Sequence, residues 1–203
     1  MNTRILLIRH AQSVANENGM FGGITDYPLS KSGQAQANSL AKKLEKYEIK
    51  KIYSSPLKRA IQTISPSAKF FNKEILIDDN LIEMNVGTWE NQLRDELRKK
   101  YPETNKYIDE TEYYTGMEGQ EDTAHVADRM FKAVTKIAKE NKGKTIVIVS
   151  HYVAINAFLC KIMNIPFEQT KLKIGGIKNT GITEIECDIE NNIFSVIKIG
   201  SMD

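Results

Sequence analysis

Two stretches of this chain set an imidazole directly after an apolar run. Ile5-Leu6-Leu7-Ile8 leads into Arg9-His10, and Thr145-Ile146-Val147-Ile148-Val149 leads into Ser150-His151. Each run reads as a strand buried on both faces, as in a parallel sheet. In open α/β sheets the carboxyl ends of such strands border the ligand crevice, beside a topological switch point. A guanidinium and an imidazole side by side there suit an anion and a nucleophile. Arg59 carries a second planar donor fork matched to phosphate oxygens, although on its predicted helix it could equally be solvated. Read alone, His10 could also be a structural histidine bonded in a buried turn.

The elements that must hold these residues can be read from pattern. Residues 11–29 contain Gly19, Gly22, Gly23 and Pro28 and predict a loop. Ser30 is a helix cap, followed by Ala37, Leu40, Ala41 and Leu44 on one face, with Lys42, Lys43 and Lys46 on the solvated face. Lys51 to Ser54 reads as a strand. Ser55-Pro56 opens a helix with Leu57, Ala60, Ile61 and Ile64 inward, and Pro66 predicts a kink or restart near Ser65. A short strand from about Ile75 to Ile77 precedes Glu83. A helix beginning near Glu121 buries Val126, Met130, Val134 and Ile137, and Val153 to Met163 reads as a buried helix. Near the end, Thr183, Ile185, Cys187 and Ile189 alternate with acids. Asn191-Asn192 then turns the chain into Ile193 to Ile199, a hairpin at the sheet edge. Residues 91–120 break the pattern, being rich in charge and tyrosine with no clean apolar period. They are expected to form an insertion over the sheet edge, either a lid or a solvated helical excursion. The fold class is therefore α/β: one domain over residues 1–203, a mostly parallel sheet with helices on both faces.

The motifs Arg9-His10-Ala11-Gln12-Ser13-Val14-Ala15-Asn16 and Gly23 to Ser30 with Gly33 come first. Ser54 to Ala60, Glu83-Met84 with Gly87-Thr88-Trp89-Glu90, and Val149-Ser150-His151 follow in order. Together, over residues 4 to about 160, they resemble the histidine phosphatase superfamily, also called phosphoglycerate mutase-like. The resemblance implies the phosphoglycerate mutase-like fold and a phosphohistidine intermediate on His10. It implies that Arg9 and Arg59 clamp the phosphoryl group, that His151 completes the pocket and that Asn16 adds an amide donor. Glu83 fills the position of the proton donor, which would later activate water. Glu90, the motif's trailing acid, is expected to be structural, Glu121 and Arg129 to form a local ion pair, and His125 to lie on the surface or a lid. Three positions depart from the pattern: Ala11 for glycine, Gly22 for a polar residue, and Tyr152 for glycine or aspartate. Mutases of this family carry an Arg-His-Tyr-Gly-type stretch after the acid, where this chain reads Met84-Asn85-Val86-Gly87-Thr88-Trp89. The expected function is thus a metal-independent phosphomonoesterase acting on a small phosphorylated metabolite. The alternatives are phosphoglycerate mutase and an inactive phosphate-binding or protein-interaction module. The module would need neither His10 nor Glu83.

Composition narrows the rest. Lysine plus arginine number 28 against 26 acids, a net charge of +2 without a long basic run, so no nucleic-acid partner is expected. No apolar run approaches the ~18 residues of a membrane span. Met1 to Arg4 leads straight into the first strand, leaving no room for a signal peptide, and the cytoplasm is the expected compartment. Cys160 and Cys187 lie far apart and read as small core residues. His10, His125 and His151 have no ligand spacing, so no metal and no other cofactor is expected. The sequence does not reveal the oligomeric state.

Overall fold

The structure, a computed structural model, describes residues 2–202. Six strands form one sheet: β1 (Asn2–Arg9), β2 (Ile49–Ser54), β3 (Ile75–Ile77), β4 (Thr145–Ser150), β5 (Ile182–Asp188) and β6 (Ile193–Ser201). Their order is β3-β2-β4-β1-β5-β6. The first four lie parallel, and the β5–β6 hairpin joins antiparallel through β5 against β1. Because β4 is inserted between β2 and β1, the carboxyl ends of β1 and β4 lie side by side, with Arg9 opposite Ser150.

The side-chain period of two sorts β1 and β4 between two cores. Leu6, Ile8, Val147 and Val149 pack against Leu40 and Leu44 of α2 (Lys31–Leu44) and Ala60 and Ile64 of α3 (Lys58–Phe70). Ile5, Leu7, Ile146 and Ile148 meet the opposite layer, α6 (Thr123–Glu140) and α7 (Tyr152–Met163), through Val126, Met130, Ile155 and Phe158. Leu40 is fully buried, and its replacement by alanine should cost about 2–5 kcal/mol. With both faces covered, only the strand ends are left for polar chemistry.

Local details differ from the sequence pattern in three places. Pro56 lies outside α3, whose N-cap is Leu57, and α3 runs through Pro66 without a restart. Ser65 Oγ donates to the Ile61 carbonyl, a bond within the same helix. The loop after β1 contains a one-turn helix, α1 (Val14–Glu17), held by a capping box between Ser13 and Asn16. Residues 91–120 form α4 (Arg94–Lys100) and α5 (Pro102–Thr111), and Leu97, Ile108 and Met117 enter the α6–α7 core. These three anchors hold a segment whose other residues are mostly exposed. Each short element contributes one or two anchors, too few for a visible period. Main-chain bonds from Phe21 to Gln92, Asn91 to Phe21 and Arg94 to Gly19 tie the segment to the α1 loop.

Candidate active site

His10 follows β1 and is 4% exposed. Its Nδ1 lies 2.7 Å from the carbonyl oxygen of Ala11. A carbonyl only accepts, so Nδ1 carries the proton and Nε2 keeps its lone pair. Burial, then the charges of Arg59 and Arg9, hold this imidazole well below its usual 6.5. It is therefore neutral near pH 7, the protonation state of a nucleophile. The main chain around it is fixed from afar: Asn179 Nδ2 donates to the His10 carbonyl at 2.8 Å, and Thr63 Oγ1 accepts from the Ala11 amide at 2.8 Å.

Arg9 donates through Nη1 to the Ile177 carbonyl at 2.6 Å, and its guanidinium carbon lies 4.6 Å from the Tyr152 ring centre. Its buried Nε has no protein partner. Arg59, 3% exposed rather than solvated, spends its fork on the carbonyls of Thr25 (2.7 Å) and Gly23 (2.6 Å). Glu90 braces that loop, accepting from the Ile24 amide at 2.9 Å and from the Thr25 hydroxyl at 2.7 Å. A Cβ on Gly23, at φ +41°, would fall 1.7 Å from the Glu90 carboxylate, so a side chain here would strain the backbone and displace Glu90. Burial lowers the pKa of both arginines, yet each remains a cation.

His151 caps α7 and is entirely buried. Arg59 Nε donates to its Nδ1 at 3.2 Å, so its proton sits on Nε2, 2.7 Å from Ser55 Oγ. Burial first, then Arg59, keep it neutral as well. Its ring centre is 5.1 Å from that of His10. Glu83 accepts from the amides of Met84 (2.9 Å), Val153 (3.2 Å) and Ala154 (2.9 Å), which aim its carboxyl group from the first turn of α7. Arg129 is more than a local partner of Glu121. It also donates to the carbonyls of Asn80, Ile82 and Glu83, and so fixes the main chain that carries Glu83.

Arg9, His10, Asn16, Arg59 and Glu83 line one cavity of about 490 Å³, within the range of small-ligand sites. His151 does not line it. Asn16 Oδ1 is taken by the Ser13 amide, leaving its Nδ2 for the cavity. Among the described residues no three His, Cys, Asp or Glu side chains form a metal-ligand set.

The family model for the histidine phosphatase superfamily (branch 1) matches residues 5–199. The chain belongs to that superfamily. It is a phosphoric monoester hydrolase. It is 31% identical to phosphoserine phosphatase 1 of Hydrogenobacter thermophilus, covering 97% of this chain and 92% of that protein. Phosphoserine phosphatase of Entamoeba histolytica in complex with 3-phosphoglyceric acid superposes with a TM-score of 0.81 at 28% identity, covering 99% of this chain and 98% of that one. YhfR of Bacillus stearothermophilus reaches a TM-score of 0.90 at 27% identity, with 99% and 98% covered.

Relative to the superfamily's motifs, two of the three departures are accommodated. Ala11 does not adopt positive φ, so the strain expected of a replaced glycine is absent. A Cβ on Gly22 would meet only Ala15 Cβ, at 3.4 Å, so its hydrogen atom widens the cavity wall. Tyr152 opens α7 and supplies the face on which Arg9 lies. Arg94, the first cation after Glu83 in the sequence, reaches the lining, whereas sequence pattern gave no site signal for Tyr114, Lys178 or Asn179. Arg94 and Tyr114 lie in the aperiodic insertion. Lys178 and Asn179 belong to a loop between α8 (Thr170–Lys173) and β5, where no local signal marked them. The glycine pair Gly175-Gly176 was the one available hint of a special loop.

Proposed function

We propose that this protein is a metal-independent phosphatase that hydrolyses small phosphomonoesters through a phosphohistidine on His10. One observation carries the reading: a neutral imidazole with its Nδ1 proton fixed shares a single cavity with Arg9, Arg59 and Glu83. In the first step the Nε2 lone pair attacks phosphorus in line and the ester P–O bond breaks. The leaving oxygen takes a proton from the Glu83 carboxyl group. In the second, Glu83 takes a proton from water, the hydroxide oxygen bonds to phosphorus, and the N–P electron pair returns to Nε2. Arg9 and Arg59 neutralise the equatorial oxygens. Asn16 offers an amide donor. His151 acts through Arg59, as a positioning residue.

The names of the relatives make phosphoserine the first metabolite to assay. The segment Met84 to Trp89 contains no cation that could hold a second phosphate during reorientation, which favours hydrolysis over mutase chemistry. A cytoplasmic location goes with the two buried, unpaired thiols Cys160 and Cys187. No described helix is long and apolar enough to cross a membrane. The test is rapid quenching during turnover of a labelled monoester. The expected product is protein-bound phosphate that is acid-labile and base-stable, absent from His10→Ala. Acid-stable label would assign the nucleophile to another residue type and sink the reading.

A further inference from the structure

Tyr152 stands where the superfamily pattern has glycine or aspartate, and the chemical steps leave it without a task. It is the first residue of α7, directly after His151. Its ring meets Arg9, whose guanidinium carbon lies 4.6 Å from the ring centre. Its hydroxyl donates to the Glu112 carboxylate. Glu112 caps the end of α5 and so belongs to the insertion, not to the sheet. The three residues form a chain that begins behind the cavity wall, at Glu112, and ends on a guanidinium that lines it.

Each link is held in place. Glu112 sits at φ +56°, in the left-handed region that a helix end usually gives to glycine or asparagine. Its amide donates to the carbonyl of Ile108, a core residue, at 2.7 Å. A Cβ on Gly176 would stand 3.9 Å from Glu112 Oε1 and 4.0 Å from Tyr152 Oη, so the loop before β5 closes over this bond. The next residue of that loop, Ile177, accepts from Arg9 at 2.6 Å. Tyr114 meets the Tyr152 ring edge-on at 6.3 Å. Burial, then the bond to Glu112, raises the phenol's pKa, so it stays a protonated donor. A ring is also the right neighbour for Arg9. Its face attracts the cation without neutralising it. An aspartate here would compete with phosphoryl oxygens for the same charge, and a glycine would leave that side of the guanidinium unsupported. The carboxylate behind the phenol polarises its O–H and enriches the ring, which strengthens the hold on Arg9. Ring and carbonyl together remove rotamer freedom from a long side chain before any ligand arrives.

We propose that Tyr152 and Glu112 are positioning residues: Glu112, carried by the insertion, fixes the Tyr152 ring, and the ring sets Arg9 for the phosphoryl group. This rests on the phosphatase reading, in which Arg9 clamps that group. Val153 and Ala154 hold Glu83 from the same turn, so lost activity on its own does not show what Tyr152 acts on. A double-mutant cycle does. With an aryl phosphate, Tyr152→Leu should lower kcat/KM about tenfold, equivalent to about 1.4 kcal/mol. In an Arg9→Gln background the same change should cost less than about twofold. Orthovanadate affinity, measured by calorimetry, should follow the same pattern. Tyr152→Phe and Glu112→Ala each break only the bond between the two residues. Each should cost about threefold, and the two together no more than either alone. Equal losses from Tyr152→Leu with and without Arg9 overturn the proposal, and so does additivity of the milder pair. Where a thermal melt shows Tyr152→Leu unfolded, the milder pair decides. Failure of the unmutated protein to release phosphate from any monoester, with orthovanadate still bound, removes the hydrolase reading instead. The affinity ratios then still decide the role of Tyr152.

Discussion

His10 and His151 follow neighbouring parallel strands, and their preceding residues are paired in register. Both are buried and both are held neutral. Their hydrogen bonds make them opposites. His10 ties up only Nδ1, on its neighbour's carbonyl, and turns a free Nε2 to the cavity. His151 uses both nitrogens, accepting from Arg59 and donating to Ser55, and is sealed behind the guanidinium. A strand-end position therefore supplies access to a crevice but does not decide the chemistry. What decides it is which ring nitrogen the surrounding protein consumes.

The comparison can be broken most directly by removing each ring. His10→Ala should lower kcat for an aryl phosphate by about 10⁴-fold or more, because the proposed covalent intermediate forms on this ring. His151→Ala should cost roughly 10²-fold, the effect of a displaced arginine. Thermal melts would show that both variants fold. Equal losses would erase the distinction drawn between nucleophile and brace.

Acid should weaken what the two rings share. Each folded-state pKa lies below the usual 6.5, so below pH 6.5 the unfolded chain takes up protons that the folded chain refuses. Their contribution to stability is complete above pH 6.5 and is lost progressively as pH falls toward the folded values. The melting temperature should accordingly drop as pH falls below about 6.5, where the imidazoles of the unfolded chain take up protons first. A melting temperature that holds level there would mean that the imidazoles are not kept neutral by burial.

The smallest expected effect falls on the brace alone. Ser55→Ala removes the acceptor for His151 Nε2 and leaves a buried N–H without a partner, which should cost about 1–3 kcal/mol of stability. It should lower kcat far less than His151→Ala does, because the Arg59 bond to Nδ1 is kept. A kcat loss as large as that of His151→Ala would show that the hydroxyl, not the ring, holds Arg59 in place.

Much of this architecture was legible beforehand, for identifiable reasons. The runs Ile5–Ile8 and Thr145–Val149 are apolar because both sheet faces are covered, so they announce β1 and β4 and the residues at their ends. The period of two in Thr183 to Ile189 announces the hairpin, since β5 and β6 sit at one side of the sheet. Burial of Arg59 was not legible. Its partners are carbonyls of Gly23 and Thr25, and a main-chain acceptor leaves no trace in residue type. The same holds for Arg129 on Asn80, Ile82 and Glu83. Asn179 was invisible for another reason: its contact with His10 spans 169 residues, beyond any local pattern.

That long span has a consequence for the order in which the molecule becomes competent. β1 is synthesised before any other strand, yet its two sheet neighbours are β4 and β5. Arg9 and His10 depend further on Ile177, Asn179, Thr180 and Gly181, which hold the arginine side chain and both main-chain segments. During vectorial synthesis the α2, β2 and α3 units can form early from nearby contacts, but the His10 ring has no fixed orientation until the loop before β5 has emerged and docked. On the proposed chemistry a nascent chain therefore stays inactive until the β5–β6 hairpin closes against β1.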